Sequence, residues 1–149
     1  MNSSAHCFRI WIAASLGVWL AGCGGGPKPP EFVKVEGKVT VDGATIKGLT
    51  VSFYPDDARG TKGPMSFGVT DADGKYKLVG PMSRPGAIPG FHKVTIACPM
   101  TGSTPDGKPP EPTAPCNLPL ELASPLTSGQ TAEVKAKAEP INFDLKSKP

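Results

Sequence analysis

The sequence predicts an all-β fold, an antiparallel sandwich of about seven strands, and three observations predict it. After Cys23, apolar residues recur at every second position in short runs, and no segment sustains the 3.6-residue period of a helix. Gly, Pro and Asp, the residues that make turns, separate those runs. Gly and Pro together supply 36 of the 149 residues, but the prolines are clumped. None lies in 31–54, 65–80, 91–98 or 126–139, the periodic stretches, so the composition marks connections rather than a disordered chain.

The elements follow in order. Val33, Val35, Val39 and Val41 alternate with Lys34, Glu36, Lys38 and Thr40, which makes one face apolar and the other polar. Asp42-Gly43 supplies a tight turn. Leu49, Val51 and Phe53 alternate with Thr50, Ser52 and Tyr54 until Pro55 stops the run. Met65, Phe67 and Val69 are expected to form the next inward set, followed by the turn Asp71-Ala72-Asp73-Gly74, after which Tyr76 and Leu78 continue. A strand from about Phe91 carries Val94 and Ile96. Ala132, Val134, Ala136 and Ala138 alternate with Glu133, Lys135, Lys137 and Glu139, and Ile141, Phe143 and Leu145 close the chain in the same way.

At 149 residues the chain suits one domain. Its formal charge of +3 becomes +2 without residues 1–22, where Arg9 is the only charged side chain, leaving 15 basic against 13 acidic groups. No basic cluster is dense enough for a nucleic-acid surface, so no nucleic-acid partner is expected.

The N-terminal segment decides the expected location. Ile10 to Ala21 is uncharged for 12 residues. As a helix it would cover about 18 Å, short of the ~30 Å hydrocarbon core. It fits the apolar region of an export signal rather than a membrane span. Leu20-Ala21-Gly22-Cys23 resembles the lipobox of bacterial lipoproteins. That resemblance implies cleavage between Gly22 and Cys23 and fatty acylation (diacylglyceryl and palmitate-type chains) of Cys23, whose thiol is the nucleophile. Membrane lipid, through Cys23, is then the first expected partner. The alternative is ordinary signal cleavage with Cys23 as a free or disulfide-bonded thiol. Gly24-Gly25-Gly26 and Pro27, Pro29 and Pro30 read as a flexible then extended tether. By resemblance to lipoprotein sorting rules, Gly24 rather than Asp after the anchor favours the outer over the inner membrane. The expected organisation is a signal peptide over 1–22, an acylated tether over 23–31, the sandwich over 32–146 and a tail over 147–149.

Gly37-Lys-Val-Thr-Val-Asp-Gly43 and Leu49-Thr-Val-Ser-Phe-Tyr-Pro55 resemble the carboxypeptidase regulatory-like domain. Val69-Thr-Asp-Ala-Asp-Gly-Lys-Tyr-Lys-Leu78 and Gly90-Phe-His-Lys-Val-Thr-Ile96 extend the resemblance. Ser124-Pro-Leu-Thr127 and Ile141-Asn-Phe-Asp-Leu145 look like the short planctomycete-type lipoproteins that carry it. The resemblance covers roughly 32–146 and implies a transthyretin-like (prealbumin-like) sandwich without catalytic activity, so no catalytic residue and no cofactor is expected.

The chemistry-bearing residues support little else. Asp71 and Asp73 begin like a calcium loop, but Lys75, Tyr76 and Met82 stand where further donors and a glycine are needed, so a side-chain-capped turn is expected. His92 shares parity with Val94 and Ile96 and reads as a histidine at the edge of the core. Alone it cannot build a zinc site, and no metal is expected. Lys34 or Lys38 with Asn142 could in principle form an isopeptide bond, but all three fall on the polar parity. Cys98 and Cys116 are the thiols left in an exported chain, and a bridge between them is expected, with two free thiols as the alternative. It would close a Pro-rich loop, 99–115, which reads as a recognition loop or a tolerated insertion.

The functional expectation is a membrane-anchored, non-catalytic envelope lipoprotein. Its sandwich acts as a binding or structural module for an envelope protein or glycan. The alternative is an oligomeric small-ligand carrier of transthyretin type. A hydrolase of that fold would need several histidines and arginines and a Tyr-Arg-Gly-Ser end, whereas this chain ends Leu145-Lys-Ser-Lys-Pro149.

Overall fold

The computed structural model describes residues 31–99, 116–137 and 139–147. Cys23, the cleavage position after Gly22, the signal segment, most of the tether and loop positions 100–115 lie outside the described residues, as do Ala138 and the last two tail residues.

Among the described residues seven strands form two sheets. In chain order they are β1 (Glu36–Val41), β2 (Thr50–Pro55), β3 (Ser66–Val69), β4 (Lys75–Lys77), β5 (Gly90–Ala97), β6 (Gln130–Val134) and β7 (Phe143–Leu145). The three-stranded sheet runs β4-β1-β7 and the four-stranded sheet β3-β2-β5-β6. Two short 3₁₀ turns, Asp57–Arg59 and Leu120–Ala123, and a turn over Pro81–Ser83 whose Met82 and Ser83 are left-handed complete the described structure. Pairing is antiparallel except for β1 with β7, which run parallel with Val39 opposite Phe143. β7 enters from the same end as β1 after the chain leaves β6 in the other sheet, and a strand arriving that way must pair parallel.

The inward set is apolar apart from His92, Ser66 and Thr70. Val39, Val41, Tyr76, Leu78, Phe143 and Leu145 face Val51, Phe53, Val94, Ile96 and Val134, all buried. Phe53 sits at the centre, with ring centroids 6.4 Å from Tyr76, 5.8 Å from His92 and 6.2 Å from Phe143. Aromatic pairs at these separations add to area burial. Leu118 and Leu122 join the same cluster from the segment before β6.

The turns obey local chemistry. Val41 and Ala44 exchange backbone bonds of 2.8 and 2.9 Å around Asp42 (φ 52°) and Gly43 (φ 81°), the left-handed pair that a two-residue turn of this kind needs. Asp71 Oδ1 accepts 2.9 Å bonds from the backbone N–H of Asp73 and of Lys75, so this carboxylate caps the β3–β4 turn.

Two expectations of parity are corrected. Met65, Phe67 and Val69 face outward, 39%, 48% and 54% exposed, while Ser66, Gly68 and Thr70 face the core. The register decides this: Gly68 lies opposite Val51, which is fully buried, so the even positions of β3 share the inward side. Space explains why those positions are small. A Cβ on Gly68 would stand 2.3 Å from the Lys77 carbonyl oxygen, where β3 crosses β4 and Phe67 bridges Val79. Thr70 is polar because its hydroxyl accepts from the Leu49 N–H at 2.9 Å and donates to the Ile46 carbonyl at 2.7 Å. The second correction is β6, which stops at Val134 rather than running on through Ala136, an exposed residue.

Candidate functional site

The outward side of the four-stranded sheet is the feature that burial does not explain. Phe67 lies opposite Ser52, and Ser52 lies opposite Thr95. By the alternation of strand geometry Phe67, Val69, Tyr54, Phe91 and Lys93 share that side with Thr50, Thr95, Thr131 and Glu133. Phe67 and Val69 are about half exposed, on an edge strand where a soluble protein ordinarily places polar groups. The Arg59 guanidinium lies 3.6 Å over the Phe91 ring, a cation–π contact that continues the platform past the end of β2. Ser52 and Thr95, on the same side, are buried. The face is aromatic and hydroxylic, with charge confined to one end.

The other features do different work. Cys98 and Cys116 are joined by a disulfide with Cα atoms 5.8 Å apart, pinning the end of β5 to the segment that leads into Leu118 and Leu122. His92 is 1% exposed between Phe53 and the Gly90 carbonyl, which lies 3.1 Å from its Nδ1. Burial holds its pKa below the ordinary imidazole value, with the Gly90 bond opposing. It is a core histidine facing Phe53. Asp71 is occupied by its own turn, and among the described residues no group of three His, Cys, Asp or Glu side chains is placed to hold a metal ion.

A cleft of about 440 Å³ opens at the end of the sandwich where the chain enters, lined by Lys34, Glu36, Lys77, Gly86 and Glu139 among others. Its charges neutralise one another in part, since Lys77 pairs with Glu36 at 3.8 Å and Glu139 with Lys135 at 3.0 Å. Lys38 and Asn142 are brought together, but through the Lys38 backbone N–H, which donates to Asn142 Oδ1 at 2.9 Å. Both residues are exposed, so the lysine amine has no burial to make it nucleophilic.

Pattern reading missed the outward apolar row because it assigned that row to the core. The usable signal was Gly68 between Phe67 and Val69: a glycine inside a strand marks a close backbone approach, and the approach is on its own side of the sheet. Among the described residues no helix is long and apolar enough to cross a membrane. No family model, curated protein or solved structure gives a match to this chain.

Proposed function

We propose that this chain is a lipid-anchored envelope lipoprotein whose β-sandwich is a non-catalytic binding or structural module. In this reading it is exported, held through acylated Cys23, by preference to the outer membrane. It presents the outward face of its four-stranded sheet to an envelope protein or glycan. The observation that carries the reading is the half-exposed pair Phe67 and Val69, an apolar row that the fold does not bury and whose packing the core does not need. The lipobox-like Leu20-Ala21-Gly22-Cys23 supplies the anchoring half.

Co-purification from detergent-solubilised envelope tests it, comparing the native chain with Phe67→Ser/Val69→Ser and with deletion of 100–115. The double substitution is expected to lose a partner that the native chain retains. Unchanged partners for the substituted chain would remove the sheet face, and loss only on deletion would move recognition to the Pro-rich loop. Intact-mass analysis of the N-terminus tests anchoring separately: an unmodified Cys23 excludes it.

A further inference from the structure

We infer that the Pro81–Ser83 turn is a membrane-contacting tip, an inference that rests on the lipid-anchored reading proposed above. The turn is fixed to the place where the chain enters the fold. A Cβ on Gly80 would stand 2.2 Å from the Phe32 ring, and the Arg84 guanidinium lies 5.8 Å over that ring. Val33 and Ala87 exchange two backbone bonds of 2.9 Å directly behind it. Eight residues, Gly24 to Glu31, separate Cys23 from Phe32. Fully extended, the nine steps from Cys23 to Phe32 reach at most about 32 Å. An acylated Cys23 therefore keeps this turn within reach of the bilayer and nearer the root of the tether than the far end of the sandwich is.

The turn itself is built unlike a plain connection. Met82 is 92% exposed, the most of any large hydrophobic among the described residues. Met82 (φ 54°) and Ser83 (φ 58°) are both left-handed, a conformation that disfavours side chains and that glycine adopts without strain. The chain thus holds an unbranched, flexible apolar side chain in solvent on a backbone that opposes it. Such a side chain inserts readily at the headgroup–acyl boundary. Arg84 is exposed two residues after Met82, and Lys34, whose backbone lies against Gly86, is exposed at the same end; neither enters an ion pair among the described residues, so both are free to meet lipid phosphates, whereas Glu36 is already paired with Lys77. The membrane surface, approached through apolar insertion and phosphate contacts, is the ligand these features fit.

The test uses the full acylated protein in phosphatidylethanolamine/phosphatidylglycerol vesicles. Met82→Cys and, as control, Ala44→Cys at the far end of β1 are each labelled with an environment-sensitive fluorophore. The dye at 82 is expected to shift to shorter wavelength and to be quenched several-fold more than the dye at 44 by dibrominated lipids. Equal quenching at the two positions, with the protein retained on the vesicles, overturns the tip alone. Failure of retention with an unacylated Cys23 overturns the anchoring reading and the tip with it.

Discussion

The Tyr76 hydroxyl donates a 2.7 Å hydrogen bond to the Ile141 carbonyl, and this bond replaces a rung of the β1–β7 ladder. In parallel pairing a residue opposite Gly37 donates to the Glu36 carbonyl and accepts from the Lys38 N–H. Ile141 makes the first bond, at 3.0 Å. The second is exchanged: Lys38 N–H turns to Asn142 Oδ1 and the carbonyl takes Tyr76 instead. Gly37 makes room, since a Cβ there would meet the Ile141 oxygen at 1.7 Å and the Tyr76 hydroxyl at 3.0 Å. Burial pushes the phenol's pKa upward, which keeps it a donor. Tyr76→Phe is expected to lose about 1–2 kcal/mol by urea denaturation, a part-buried carbonyl having lost its partner. Gly37→Ala is expected to lose more, about 2–4 kcal/mol, because backbone must move. A neutral Gly37→Ala would contradict this geometry.

His92 makes stability depend on pH. Its folded pKa is lowered by burial, so the unfolded chain takes up a proton near the ordinary pKa of about 6.5 while the folded chain does not. The stabilising contribution is therefore complete above that value and falls as pH drops through it toward the lower folded pKa. The slope approaches about 1.4 kcal/mol per pH unit for one proton. Urea titrations at pH 7.5 and 5.5 should show a smaller difference for His92→Gln than for the native chain; identical differences would assign the slope to carboxylates.

The hydroxyl of Ser66 is buried without a hydrogen-bond partner among the described residues. Removing it takes away a desolvated polar group rather than a bond. Ser66→Ala should be neutral or raise the thermal midpoint, the reverse of most core substitutions. A loss above about 1 kcal/mol would reveal a partner.

The Cys98–Cys116 bridge closes a loop with a sequence separation of 18. The chain-entropy model assigns about 3 kcal/mol to a loop of this length. Cys98→Ser/Cys116→Ser should lower stability by about that amount and leave the native chain's reductant sensitivity absent. A reductant-insensitive native chain would argue against the bridge.

Phe67 and Leu78 separate the two faces of the fold. Phe67→Ser should change stability by less than about 1 kcal/mol, as for an exposed position, whereas Leu78→Ala, 2% exposed, should lose about 2–5 kcal/mol. Equal losses would return Phe67 to the core.

Much of this fold is legible in residue order. Val39, Val41, Leu49, Val51, Phe53, Val94 and Ile96 alternate with polar neighbours, and period two puts them on one side whatever the strands pair with. Asp42-Gly43 and the Asp71–Gly74 turn are local too, because their hydrogen bonds close within a few residues. The outward row of β3 runs against its pattern. Alternation puts Met65, Phe67 and Val69 inward, with Gly68 the one sign to the contrary, and the choice fell to a register with β2 and a close crossing over Lys77, contacts between distant residues. The same holds for Gly37, Tyr76 and Ile141, which lie far apart in the chain and meet only when both β4 and β7 flank β1. Alternation along a strand is a property of the backbone itself. Which side becomes the core, and where a carbonyl finds its donor, depends on what lies across the gap, and that is decided only when the sheets close.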